Sequence, residues 1–194
     1  MDEILRADSL YHIYESNAED GNVVALRGLS LSMKEGEAVA VVGPSGSGKT
    51  TVIKLLSKLY DNFEGEILID GRSIVDLEPS WLRQQISFVP QDIVLFDGSI
   101  AFNIGLDTQS ISRAEIEKAA ELVGADRFIK KLPGTYDYPI REQGNNLSLG
   151  QRQLITFARA LARQPQLVIL DEATASVDAT SERMIQSAID RILK

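Results

Sequence analysis

The run Gly43-Pro44-Ser45-Gly46-Ser47-Gly48-Lys49-Thr50 has the G-x-x-x-x-G-K-[ST] spacing of a phosphate-binding loop. Glycines let the backbone fold around an anion with several N–H groups pointing inward, and the start of a following helix adds partial positive charge. In such a loop Lys49 reaches the β- and γ-phosphates of a nucleotide and the Thr50 hydroxyl holds Mg²⁺. The competing reading is a glycine-rich turn that binds nothing. Context disfavours it, because an apolar run precedes the loop and a helical pattern follows it.

A second stretch bears on the same chemistry. Leu167-Val168-Ile169-Leu170-Asp171-Glu172 reads as a buried strand ending in two carboxylates. Asp171 at its C-terminal edge suits Mg²⁺, and Glu172 suits orienting and deprotonating an attacking water. Paired acids after a strand are also common turn residues, so it is the phosphate loop that lends this pair a function. Further back, Ser148-Leu149-Gly150-Gln151 has capping-box spacing for a helix running to Arg163. A capped helix N-terminus is itself an anion site.

These groups need elements to position them. Ile4 to Met33 reads as an antiparallel hairpin region with a turn at Asn17 to Asn22. Glu37 to Val42 is a short apolar strand, and Thr51 to Leu59 carries Val52, Ile53, Leu55, Leu56 and Leu59 at helical spacing, giving strand, glycine loop, helix. Ile67 to Ile69 is a strand closed by Asp70-Gly71. Pro79 and Ser80 open a short helix, and Ile86 to Val89 is a strand that Pro90 ends. Ser112-Arg113-Ala114-Glu115 is a capping box for a helix to Gly124, with a second helical piece to Lys131. Gln166 to Leu170 returns to a parallel-type strand, and Ser181 to Leu193 is an amphipathic helix. Strands alternating with helices predict an α/β fold.

Composition narrows the class. At 194 residues the chain suits one domain, and 44% hydrophobic with 25% charged residues is ordinary for a globular protein. A net charge of -8 removes the attraction that a nucleic-acid binder relies on. The longest apolar runs are strand-sized and far short of the roughly 20 residues that span a bilayer. With no cysteine there is no disulfide framework, zinc knuckle or thiol chemistry, which fits a cytosolic compartment.

With Leu147-Ser148-Leu149-Gly150-Gln151 the sequence resembles the ATP-binding-cassette (ABC) family, whose signature is usually written LSGGQ; Leu149 stands where the first of two glycines is usual. The resemblance runs through nearly the whole chain. Val89-Pro90-Gln91-Asp92 looks like the family's Q-loop, which implies that Gln91 touches Mg²⁺ and the lytic water. Ala175-Ser176-Val177-Asp178 looks like its D-loop, although Asp178 also suits the N-cap of the last helix. Tyr14 stands where the family places an aromatic that stacks on adenine, with Tyr11 as the alternative; His12 reads as structural. Gln91 to Ile100, Asn103-Ile104 and Glu142-Gln143-Gly144 resemble exporter-type members, in which this surface receives helices of the membrane domain. Phe96, Ile100 and Phe102 read equally well as core.

The resemblance implies a phosphate-loop NTPase core with a parallel sheet, an N-terminal antiparallel β subdomain and an inserted α-helical signature subdomain. The expected layout is one ABC domain over 1–194, with core at 1–102 and 164–194 and the helical subdomain at 103–163. It implies an ATP and Mg²⁺ site made of Tyr14, Gly43 to Thr51, Ser148, Gly150 and Gln151. Thr50, Gln91 and Asp171 attend the metal, and Glu172, Gln91 and Lys49 the chemistry. It also implies a head-to-tail dimer with a second nucleotide-binding domain, coupled to transmembrane domains at the cytoplasmic face, with no nucleic-acid partner. The family's switch histidine has no counterpart before Lys194, so the expectation is a chain incomplete at its C-terminus that hydrolyses ATP poorly alone. The alternatives are a non-transport ABC ATPase of the DNA-repair or chromosome type, a non-hydrolysing regulatory subunit, and an unrelated phosphate-loop kinase.

Overall fold

Two long strands, β1 (Glu3–Tyr14) and β2 (Val23–Lys34), pair antiparallel with Ala7 opposite Leu31 and His12 opposite Leu26. The computed structural model describes residues 3–14, 21–106, 110–171 and 179–192, with backbone alone at 179–182, 184, 185 and 192. β3 (Glu64–Ile69) lies on the other edge of β1 and β4 (Arg72–Ser73) beyond it, in the order β2-β1-β3-β4. The hairpin is as expected; Asn17 to Asp20 of the expected turn lie outside the described residues.

The burial of β1 changes phase partway along. Leu5, Ala7, Leu10 and His12 are buried, which strict alternation forbids. Between Ala7 and Leu10 the register slips, Ser9 takes a φ of 51°, and Gly65 of β3 lies so close that a Cβ there would stand 2.5 Å from the Asp8 and Ser9 carbonyl oxygens. This is a β-bulge, and its one extra residue moves the rest of the strand to the other face. His12 therefore turns inward, while Tyr11 and Ile13 are 45% and 43% exposed.

Helix α1 (Lys49–Leu56) buries Thr51, Val52, Leu55 and Leu56. It stops short of the expected Leu59 because Lys58 adopts a φ of 51°, and the Leu59 N–H returns to the Lys54 carbonyl. The expected strand at Glu37 to Val42 is not formed. A strand requires a neighbour's hydrogen bonds, and none of the described strands pairs with this run; Val42 is 91% exposed.

Contacts divide the chain into two units, Met1–Arg83 and Gln84–Lys194, and the chain crosses the division within α2 (Pro79–Gln85). In the second unit β5 (Ile86–Val89) pairs parallel with β8 (Leu167–Leu170), Val89 opposite Leu170. Between them come β6 (Gly98–Ser99), α3 (Ile100–Gly105), α4 (Arg113–Val123), α5 (Asp126–Ile129), β7 (Pro139–Ile140) and α6 (Leu149–Leu161); α7 (Ala179–Ile192) follows. α6 runs through the middle of this unit's core and packs on α3, α4 and α7, its Leu154, Ile155, Phe157 and Ala158 wholly buried beside Ile100, Ile104 and Val123. Ile100 is thus a core residue, whereas Phe96 is 46% exposed.

One polar knot ties α6 to the segment after β5. The fully buried Asn103 amide donates to the Phe96 carbonyl at 2.8 Å and the Ser99 carbonyl at 3.1 Å, and its oxygen accepts from the Phe96 N–H at 2.8 Å. Arg159 of α6 donates to the Asn103 carbonyl at 2.7 Å, to the Val94 carbonyl at 2.9 Å and to Asn103 Oδ1 at 3.2 Å, and its guanidinium lies 5.5 Å from the Phe96 ring centre. Burial pushes the Arg159 pKa below its ordinary value. Truncating Asn103 strands several buried partners at once, while Ser112→Ala removes only the exposed cap of α4. Urea unfolding is expected to show a loss of about 3 kcal/mol or more for Asn103→Ala against about 1 kcal/mol for Ser112→Ala. Equal losses would mean that the knot is slack.

Candidate nucleotide site

Of three helix N-termini in this chain, two close on themselves and the third does not. α4 begins at Ser112, whose hydroxyl accepts from the Glu115 N–H while the Glu115 carboxylate accepts from the Ser112 N–H, a closed capping box. α6 begins the same way, with Gln151 N–H on Ser148 Oγ at 3.2 Å and Ser148 N–H on Gln151 Oε1 at 3.0 Å. α1 begins at Gly48, which has no side chain, and its first turn carries no acid. Its leading N–H groups therefore point at whatever lies before the loop, which is the arrangement that binds an anion.

The loop is shaped for this. Gly46 and Gly48 have φ of 80° and 90°, and a turn closes with the Ser47 N–H on the Pro44 carbonyl at 3.2 Å. A Cβ on Gly48 would stand 2.5 Å from the Ala25 carbonyl oxygen, whereas one on Gly46 would meet nothing. The Lys49 ammonium donates to the loop's own carbonyls, Gly43 and Pro44. The cation is thus already held over the loop, and Thr50 stands beside it in the first turn.

Tyr14 follows the bulge onto the inner face of β1, where its hydroxyl is hydrogen-bonded to that of Thr51 on α1 at 3.0 Å. Tyr11 goes the other way, its hydroxyl lying over Gly28 of β2. Of the two tyrosines, the structure brings Tyr14 to the helix of the phosphate loop. His12 is buried, its Nδ1 2.7 Å from the Asn62 carbonyl and its Nε2 without a hydrogen-bond partner among the described residues.

In the second unit the pairing of Val89 with Leu170 places Gln91 and Asp171 just past the same end of the parallel pair, and the Asp171 N–H continues the ladder to the Val89 carbonyl at 3.0 Å. Gln91 and Asp171 are thereby brought to one edge, although they lie far apart in sequence. Ser148 is exposed at the start of α6, Gly150 is buried beneath it, and Gln151 is engaged in the cap. Glu172 and the run Ala175 to Asp178 lie outside the described residues. Local spacing does not single out Tyr60 or Arg159, whose partners His12 and Asn103 lie far away in the chain.

Residues 26–175 match the model of a protein family described as ABC transporter. The chain belongs to the ABC transporter family. It is 46% identical over 175 residues to multidrug resistance protein pgp-1 of Caenorhabditis elegans, covering 89% of this chain and 13% of that protein. It is also 46% identical over 168 residues to an ATP-dependent lipid A-core flippase of Saccharophagus degradans, covering 87% of this chain and 29% of the flippase. A solved structure, a bacterial Atm1-family ABC exporter with ATP bound, superposes with a TM-score of 0.82 at 37% identity over 98% of this chain and 32% of that one. This ABC chain therefore has the nucleotide-binding-domain fold, with an antiparallel N-terminal sheet, a parallel pair and helices between. It spans less than a third of each of these relatives. Among the described residues no helix is long and apolar enough to cross a membrane.

The two loop glycines of this ABC chain differ in what an added methyl group meets, so their substitutions should separate. Gly46→Ala carries only the strain of a positive φ, about 1 kcal/mol, while Gly48→Ala adds a backbone clash and is expected to cost more than about 2 kcal/mol. Titration with inorganic tripolyphosphate should show binding weakened by Gly46→Ala and abolished by Gly48→Ala. Equal affinities in the two variants would contradict the loop geometry.

Proposed function

We propose that this chain binds ATP with Mg²⁺ and hydrolyses it to power export of a substrate across a membrane. It would act through transmembrane domains to which it is coupled at the cytoplasmic face. The observation that carries the reading is the uncapped N-terminus of α1 behind a glycine loop whose lysine already hangs over it. The family and the exporters among its relatives support the transport half.

In this reading the domain layout is single, with the helical part at 103–163 as a subdomain of the core. Two copies close head to tail over two ATP molecules. Lys49 leaves the Gly43 and Pro44 carbonyls for the β- and γ-phosphates, the α1 N–H groups bind the same anion, and Tyr14 stacks on the base. Ser148 and Gly150 of one copy approach the γ-phosphate held by the other. The attacking water loses its proton to the Glu172 carboxylate as the bond from the γ-phosphorus to ADP breaks. Thr50, Gln91 and Asp171 carry hydroxyl, amide and carboxylate oxygens, the donor type that Mg²⁺ takes; an ion held by such groups would offset charge on the phosphate oxygens. ATP thus holds the dimer closed, and hydrolysis releases it. The net charge of -8 supports a role without nucleic acid.

Lys49→Ala is expected to weaken ATP binding about tenfold or more, the loss of a charge-assisted contact. Glu172→Gln should keep ATP binding and lower phosphate release below the slow turnover expected of the unaltered chain, by up to about 10²–10⁴-fold, the usual worth of a general base. Calorimetry and phosphate-release assays read the two effects. Transfer of the γ-phosphoryl group to an acceptor other than water, or unchanged turnover in Glu172→Gln, would sink the proposal.

A further inference from the structure

Helix α1 carries at Thr51 and Lys54, on one face, the groups that hold two tyrosine hydroxyls. Thr51 Oγ1 is 3.0 Å from the Tyr14 hydroxyl, and Lys54 Nζ donates to the Tyr60 hydroxyl at 3.3 Å while lying 5.2 Å from the Tyr60 ring centre. Tyr60 stacks on His12, centres 5.4 Å apart and planes 10° from parallel. Tyr14 stands across both rings, at 89° and 4.7 Å from His12 and at 81° and 5.7 Å from Tyr60. His12 is fixed in turn, because the Asn62 carbonyl only accepts and Nδ1 must therefore carry the proton of their 2.7 Å bond. A cavity of about 260 Å³, enough for one flat ring system, is lined by His12, Ile13, Tyr14, Tyr60 and Asn62.

We propose that Tyr60, stacked on His12, is a positioning residue of the nucleobase site: the pair sets the angle of the Tyr14 ring, and α1 registers that ring to the phosphate loop through Thr51 and Lys54. The inference rests on the reading of Tyr14 as the base-stacking residue. Edge-to-face contacts define an angle as well as a distance. Two such contacts and a hydroxyl bond leave the Tyr14 ring little freedom, so less order has to be imposed when a base arrives. Because the hydroxyl bonds reach the helix whose first turn receives the phosphates, base and phosphate subsites are set at one separation.

A packing role alone would lower stability without distinguishing ligands, so the test compares ATP with inorganic tripolyphosphate, which lacks the base. Both are titrated calorimetrically into the whole chain and into Tyr60→Leu, Tyr60→Phe, His12→Leu and Tyr14→Ala, each below its unfolding midpoint. Tyr60→Leu and His12→Leu are expected to weaken ATP about fivefold or more and to leave tripolyphosphate within about twofold. Tyr60→Phe, which keeps the stacked ring and loses only the hydroxyl bond to Lys54, should show a selective ATP loss smaller than that of Tyr60→Leu. Folded protein from either leucine variant is sufficient. Unchanged ATP affinity in that variant, or parallel losses for both ligands, would overturn the inference while a selective ATP loss in Tyr14→Ala leaves the base-stacking reading standing. If Tyr14→Ala itself spares ATP, the base-stacking reading fails and the inference with it.

Discussion

The first turn of α1 ends in backbone N–H groups that no side chain caps, and much of the first unit is arranged around that deficit. Left bare, such groups are costly unless water or an anion meets them. Gly48 keeps the approach open, since any side chain there would strike the Ala25 carbonyl of β2. Lys49 leans over the loop and is satisfied by its carbonyls, so the free chain holds a cation at the mouth of the site without leaving it unpaired. The proposed anion site is in this sense a helix without a side-chain cap.

The comparison with α4 and α6 makes the point sharper. Both of those helices close their own first turn with a capping box. In α6 the same serine that caps is the one the proposed cycle presents to a second copy, and the cap leaves Ser148 exposed and Gly150 buried below it. α6 is held firmly for this: Arg159 binds carbonyls at both ends of the segment from Val94 to Asn103, and Asn103 closes that segment on itself. The exposed Phe96 ring and the signature helix therefore sit on one rigid frame within the second unit.

Much of this was legible residue by residue because it is local. The glycine loop opening α1, the capping boxes at Ser112 and Ser148, the strand stop at Pro90 and the helix stop at Gly124 all depend on neighbours within a turn or two, and all stand where their spacing puts them. What failed was local pattern read without its partner. Glu37 to Val42 has the composition of a buried strand, yet among the described strands it has no neighbour and forms none. The helix after the loop ends before the expected Leu59, because a positive φ at Lys58 leaves no periodic trace in the sequence.

The choice between Tyr11 and Tyr14 shows where the boundary lies. The sequence alone determined that a glycine-rich loop opens a helix, that a strand leads into Asp171, and that an aromatic-rich strand lies upstream, since each follows from side-chain chemistry at short spacing. Which tyrosine meets the loop's helix depended on a bulge at Ser9, made possible by a glycine on another strand, Gly65. Likewise, the placing of Gln91 and Asp171 past one end of the parallel pair depended on the register of β5 against β8, and the contact of Tyr14 with Tyr60 on the return of the segment after α1 to β1. Register and packing are relations between distant segments, set by which backbone hydrogen bonds and buried faces close together. For that reason only the tertiary structure decided them.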